Sequence, residues 1–256
     1  MRNGHALEIA NLSHTGLRRR HNEDSTASDH QTGLLVLADG MGGYLSGEVA
    51  SSIAVSYIVN EITRRWAQDG RPQGMNGYSG ESLAVRMAIK DANALIYNTG
   101  RNEPQCSGMG TTVVAAWFHG DRVSVGHVGD SRCYRLRHGL FEQITSDHSM
   151  VQELIEQGLL SPEQACLAVP KNLVTRALGI AETVDIDLHE EQVSPGDLYL
   201  MCSDGLYDML ANEEIHLTLR KYSDNLAQAA GQLVAMANER GGHDNISVIL
   251  ARPGGA

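Results

Sequence analysis

"TTVVAAWFHGDRVSVGHVGDSRCYRLRHGLFEQIT", residues 111–145, reads as strands joined by tight turns. Apolar and β-branched residues run through 111–118 and 122–129 with His-Gly-Asp between them, and 131–137 and 140–145 flank His138–Gly139. Short Gly-containing gaps between such runs are hairpin signals. A parallel crossover needs a dozen or more residues, which these gaps do not supply. Helical spacing lies outside this stretch. Ala50, Ile53, Ala54, Tyr57, Ile58 and Ile62 mark a helix over 48–66, and Leu83, Met87, Ala88, Leu95 and Ile96 are the expected inward face of one over 81–98. Leu226, Ala229, Ala230, Leu233, Val234 and Ala237 form the clearest stripe. "ALEIANLS", "TVDIDLHE", "LYLMC" and "NISVILA" add strands. Hairpin-linked strands beside paired helices predict an α+β domain of antiparallel sheets with outer helices.

The chain has 256 residues, 42% of them hydrophobic, enough for one large domain with a substantial core. The Gly-rich segment 69–82 reads as a loop between helices. Apolar runs fall short of the ~18 residues that would span a membrane. The opening residues lack an apolar signal region, so a cytoplasmic, membrane-free protein is expected. Cys106, Cys133, Cys166 and Cys202 form no CxxC pair, which predicts reduced, buried thiols. A net charge of −11 argues against nucleic acid as a partner, and "RRR" at 18–20 stands out against it.

Acids stand where strands meet loops. "GLLVLADGMGG" (33–43) ends an apolar run in Asp39, "DLYLMCSDG" (197–205) repeats the arrangement with Asp204, and Asp244 precedes "NISVIL". Glu23 and Asp24 in "RRRHNEDS", Asp130 in "HVGDSR" and Asp208 in "CSDGLYD" join them. Any one Asp-Gly is an ordinary turn former. Several at strand ends suggest a site, because packed carboxylates repel one another and need a compensating cation. An all-oxygen set selects Mg²⁺ or Mn²⁺ over zinc, and Gly40, without a Cβ, leaves its carbonyl open to a metal. No HExxH or HCx₅R motif appears, and "SGMGTT" lacks the Lys of a phosphate-binding P-loop.

"RRRHNEDS", "VLADGMGG", "GMGTTVVAA", "VGHVGDSR", "SDHSMVQELIEQGLL", "VTRALG", "YLMCSDGLYDML" and "HDNISVIL", in this order, resemble the bacterial type 2C metal-dependent serine/threonine protein phosphatases from about residue 8 onward. The resemblance implies a four-layer α-β-β-α sandwich of two antiparallel sheets flanked by helix pairs. It also implies one domain over 1–256 with a flap at roughly 146–178, and a monomer. Two Mn²⁺ or Mg²⁺ ions are implied at one end: Asp39 bridges both, and Asp204 and Asp244 complete the first. The Gly40 carbonyl and a water held by Glu23 serve the second. Asp130, with Asp204, would hold a weaker third ion, and Asp24 and Asp208 would orient coordinated waters.

The implied reaction is hydrolysis of phosphoserine and phosphothreonine on proteins by a metal-bridging water. The implied partners are phosphorylated proteins, including a bacterial Ser/Thr kinase and its substrates. Arg19 matches the family's phosphate-binding arginine. If 17–24 is extended, Arg19, His21 and Glu23 share a face while Arg18 and Arg20 point away. The chain departs from the family pattern where relatives carry a loop His: here stand Met41 and Tyr44. A further departure is a shorter "AVPKNLV" segment in the flap. The competing class is a catalytically weak scaffold, which would be expected to lose metal carboxylates that this chain keeps.

Overall fold

The structure, a computed structural model, describes residues 7–43, 46–68, 73–75, 77–161, 164, 170 and 173–254. One sheet runs in the order β1 (Leu7–His14), β11 (Ile246–Pro253), β10 (Leu198–Cys202), β7 (Arg132–Arg137) and β8 (Leu140–Gln143). The other runs β2 (Asp24–Asp29), β3 (Leu34–Met41), β5 (Val113–His119), β6 (Arg122–Val128) and β9 (Asp187–Gln192), with the short β4 (Gly110–Thr111) also paired to β3. Every strand pairing is antiparallel. Both expected hairpins form, and the β7–β8 turn holds His138 at φ 51° and Gly139 at φ 80°, the left-handed pair a two-residue hairpin requires.

The sheets stack face to face. Leu35, Leu37, Val114, Ala116, Val123 and Val125 from one meet Cys133, Tyr199, Met201, Ile249 and Ala251 from the other. The alternate residues of β3, Leu34, Val36 and Ala38, face outward beneath α1 (Ser46–Gln68) and α2 (Gly80–Asn102). Both faces of β3 are therefore covered, which is why its apolar run does not alternate. The other sheet is covered by α4 (Asp204–Tyr207), α5 (Asn212–Lys221) and α6 (Leu226–Glu239), and the whole stripe read on α6 is buried. A shorter helix, α3 (Met150–Glu156), lies outside these layers.

The inward face of α2 differs from the sequence expectation. Ala84, Val85, Ala88, Ile89, Ala92 and Ile96 are buried, while Met87 and Leu95 are exposed and Leu83 is half-buried. A Cβ at Gly126 of β6 would lie 2.7 Å from Val85 Cγ1 and 3.0 Å from Ile89 Cδ1, so the bare strand at Gly126 admits this face of the helix. Cys106, Cys133 and Cys202 are buried free thiols; Cys166 lies outside the described residues. Among the described residues, no helix is long and apolar enough to cross a membrane.

Antiparallel pairing decides where the acids go. Asp24 opens β2 opposite Asp39 near the end of β3, and Cys202 at the end of β10 faces Val248 on β11 and Arg132 on β7. The ends bearing Asp24, Asp39, Asp130, Asp204 and Asp244 thus lie together at one end of the sandwich.

Candidate active site

Two close backbone approaches build the site. At Gly40 a Cβ would lie 2.1 Å from the Gly47 carbonyl oxygen and 2.6 Å from that of Glu23. Only glycine lets the end of β3, the start of α1 and the residue preceding β2 touch. The requirement at Gly40 is thus backbone packing, in addition to the open carbonyl. At Gly205 a Cβ would lie 2.0 Å from the Asn245 carbonyl oxygen, so the Asp204 and Asp244 loops pack directly together.

Side chains then fix the acids. The Asp39 N–H donates to Thr112 Oγ1 (3.1 Å), and its carbonyl accepts from the Thr112 N–H (2.9 Å) and Thr111 Oγ1 (2.8 Å). Asn245, buried, accepts at Oδ1 from the Glu23 N–H (2.7 Å) and donates from Nδ2 to the carbonyls of Thr15 (2.9 Å) and His21 (3.0 Å). Its own N–H donates to Asp244 Oδ1 at 2.8 Å. Asp24 Oδ2 accepts from the hydroxyls of Ser203 (2.8 Å) and Ser247 (2.6 Å). Asn245, Ser203, Ser247, Thr111 and Thr112 were not singled out from sequence. Their signal was adjacency: Asn245 follows Asp244, Ser203 precedes Asp204, and the threonines follow "GMG".

The carboxylates share one field. Burial pushes Asp39 well above the usual range, and the charges of Asp24, Asp204, Asp130 and Asp244 push it further. Asp204 is raised to about 8 by burial and then by Asp244, Asp130, Asp24 and Asp208. Burial raises Asp24 to about 6 against the Ser247 and Ser203 donors; burial and then Asp147 raise Asp130 to about 6. Glu23 is raised by burial, opposed by Arg19. Asp208 is exposed at the edge, with its N–H on the Asp204 carbonyl (2.9 Å). Asp24 Oδ1 and Asp204 Oδ1 are buried and receive no hydrogen bond. Buried oxygens without donors, in a set holding no nitrogen or sulfur ligand, fit hard divalent cations.

Arg19 reaches this end by a different route from the one expected. Residues 16–18 form a turn, with the Leu17 and Arg18 N–H groups on the Gly242 carbonyl at 2.8 and 3.2 Å, so 17–24 is not an extended strand. From that turn Arg19 Nη2 meets Asp244 Oδ2 at 2.7 Å, whereas Arg18 and Arg20 are exposed. Met41 closes β3 opposite Gly110, and Tyr44 lies outside the described residues, as does part of "AVPKNLV".

A second group, unmarked by sequence spacing, brings ligand atoms of His127, His148 and Asp187 within 4.8 Å. Its hydrogen bonds assign the tautomers. His127 Nε2 donates to the Ser146 carbonyl (2.8 Å), and His148 Nδ1 accepts from the Gly129 N–H (3.0 Å), which leaves the His148 proton on Nε2, 3.2 Å from Asp187 Oδ2. Arg176 Nη1 pairs with Asp187 Oδ1 at 3.2 Å. With both His148 nitrogens engaged and a guanidinium already on Asp187, the group is a hydrogen-bonded latch between β6, β9 and the segment after residue 146. Its partners at Gly129 adjoin Asp130.

Comparison with known proteins bears on this geometry. Residues 15–241 match the family model described as protein phosphatase 2C. The serine/threonine protein phosphatase PstP of Mycobacterium tuberculosis is 37% identical over 246 residues, covering 96% of this chain but 45% of its own length, so the chain spans about half of that relative. The serine/threonine phosphatase stp of Listeria monocytogenes is 36% identical over 241 residues, covering 92% of this chain and 91% of the relative. The crystal structure of the PstP catalytic domain in complex with two manganese ions superposes with a TM-score of 0.83 at 36% identity, covering 97% of this chain and 99% of that one. Strand ends, helix layers and a match across most of the residues lead to one assignment: the chain belongs to the protein phosphatase 2C family.

Proposed function

We propose that this chain is a metal-dependent serine/threonine protein phosphatase, acting on phosphoserine and phosphothreonine in proteins and reversing a bacterial Ser/Thr kinase. The observation that carries the reading is the convergence of Asp39, Asp204 and Asp244, with a buried Asp204 oxygen that no hydrogen bond satisfies. Asp39 would lie between two cations, with Asp204 and Asp244 on the first, and the Gly40 carbonyl and Glu23, through water, on the second. Asp130 would share a third, weaker ion with Asp204, while Asp24 and Asp208 orient coordinated waters. Two manganese ions in a relative's catalytic domain support the choice of Mn²⁺ or Mg²⁺. Such cations supply an activated water and offset charge on the phosphoryl oxygens.

The chain's own residues bind and orient. Arg19, half-exposed at the rim of the acidic cluster, offers a planar fork to two phosphoryl oxygens. No cysteine is placed to act as a nucleophile among the described residues: Cys106, Cys133 and Cys202 are buried, and burial pushes the Cys202 thiol up to about 12. The whole chain forms one catalytic domain, with 146–178 as a flap whose roots meet where the Thr175 N–H donates to the His148 carbonyl at 2.8 Å. The test is turnover of a phosphothreonine peptide. Activity is expected with Mn²⁺ or Mg²⁺ and absent in excess EDTA; full turnover in EDTA would sink the reading.

A further inference from the structure

We infer that Arg19 is a resident counter-ion of the acidic end: it holds Asp244, yields it when a divalent cation is bound, and is then free to take a phosphoryl group. The inference rests on the proposed reading of Asp39, Asp204 and Asp244 as metal carboxylates. Asp244 has two oxygens with different partners. Oδ1 accepts the Asn245 N–H at 2.8 Å, and Arg19 Nη2 holds Oδ2 at 2.7 Å. Arg19 and a cation on Asp244 would therefore compete for the same carboxylate.

The neighbouring guanidinium shows what a permanent pair looks like. Arg132 engages Asp147 with Nε at 3.0 Å to both carboxylate oxygens and Nη2 at 2.6 Å, stacks 3.6 Å over the Tyr207 ring, and has a side chain 21% exposed. Arg19 makes one contact through one nitrogen with a side chain 51% exposed. A single half-exposed pair contributes little to stability. Releasing it does not remove Arg19 from the site, because the Leu17 and Arg18 N–H groups stay on the Gly242 carbonyl. The freed fork remains at the rim, two residues from where Asp244 leaves the same loop.

Competition gives a signature opposite to that of damage. Arg19→Ala removes a cation from Asp244, so metal binding should tighten while the KM for phosphopeptide rises; a variant that merely loosened the loop would weaken both. Calorimetric titration of Mn²⁺ into the EDTA-stripped, dialysed whole protein reads the first effect. Arg19→Ala should bind Mn²⁺ about tenfold more tightly than wild type at low ionic strength, a gap that 0.5 M salt should narrow. Arg19→Lys, which keeps the charge and loses the fork, should stay near wild type in Mn²⁺ affinity yet share the KM defect. Asp39→Asn is the control for the metal reading itself: if it titrates like wild type, that reading fails. If Asp39→Asn loses binding but Arg19→Ala binds Mn²⁺ no more tightly than wild type, the counter-ion role is wrong.

Discussion

The two ends of β10 carry buried carboxylates in opposite electrical circumstances. Asp197, just before the strand, receives Arg137 through Nε (2.8 Å) and Nη2 (2.6 Å) and the Ser194 N–H at 2.7 Å. On β9 of the other sheet, burial works against the charge of Glu190, yet donors from Ser82, Ser79 and Arg122 hold it down to about 2. Glu191 is likewise lowered, with His189, Tyr199 and Arg135 outweighing burial. Past the far end of β10, Asp204 is raised to about 8 and one of its oxygens has no donor. A carboxylate of this sandwich is thus fully partnered where it supports structure. It is left crowded where the proposed cations would sit, and functional sites store unfavourable charge in this way.

Removing the acid in the middle of the crowded end should do the most to break this contrast. Asp39→Asn should lower kcat/KM on a phosphothreonine peptide by more than about a hundredfold, since altering even supporting groups of a metal site costs 10–100-fold. The same change replaces an acid whose charged form burial and four neighbouring carboxylates disfavour. The variant should therefore melt at a higher temperature than wild type in EDTA at pH 8. Lost activity with raised metal-free stability is the expected pair, and a wild-type rate would contradict the placement of Asp39.

Next in size is the pH dependence of the metal-free protein. Asp204 at about 8, and Asp24 and Asp130 at about 6, bind protons in the folded state that ordinary carboxylates release near pH 4. Between those values the folded state holds more protons than the unfolded one, so stability falls as pH rises. The loss should accumulate progressively from pH 4 to 8. Thermal melts in EDTA should show a lower midpoint at pH 8 than at pH 5, and Mn²⁺ should remove most of the difference. A flat EDTA profile would mean the carboxylates do not share a field.

Much of this was legible beforehand because it rested on local signals. Apolar, β-branched runs with short gaps and the His138–Gly139 turn pointed to the hairpins, and strand-ending Asp39 and Asp204 marked where the acids lie. What escaped depended on distance in three dimensions. The α2 face is set by Val85 and Ile89 packing over Gly126 of β6, which no ranking of side-chain size on the helix reveals. Asn245 organises residues 15–23 from more than two hundred positions away. His127 and His148 stack with centroids 4.7 Å apart, although nothing in their spacing pairs them. Arg19 meets Asp244 from a turn held on the Gly242 carbonyl, so the extended-strand premise fails for 17–24.

The partnered end should respond in the opposite sense, and more modestly. Glu190→Gln removes a charge that accepts from Ser79, Ser82 and Arg122, at a cost of about 1–3 kcal/mol of unfolding free energy with kcat unchanged. Because the folded-state pKa is lowered, the stability from Glu190 is present above about pH 4.5 and is lost as pH falls toward 2. Wild type and variant should converge there in acid melts. Divergence in acid would show that the donors do not favour the charged form.

The smallest effects are expected at Arg18 and Arg20, and they separate placement from mere proximity. Both adjoin Arg19 in a chain of net charge −11, so a general field argument would credit all three with attracting phosphate. All three are exposed, but only Arg19 makes an ion pair with the acidic end, and the Arg18 N–H bond to Gly242 survives any change of side chain. Exposed charges act through water and are screened within a Debye length of ~8 Å at physiological ionic strength. Arg18→Ala and Arg20→Ala should therefore change KM by less than about twofold at 0.15 M salt, with a larger rise only at low salt, where screening is weak. Arg19→Ala should keep its KM defect at both, because a directional hydrogen-bonded contact to phosphate is lost along with the field. A KM defect of equal size in all three variants, vanishing together as salt is added, would mean that the cluster acts by charge alone. In that case the turn at 16–18 would have no part in aiming Arg19.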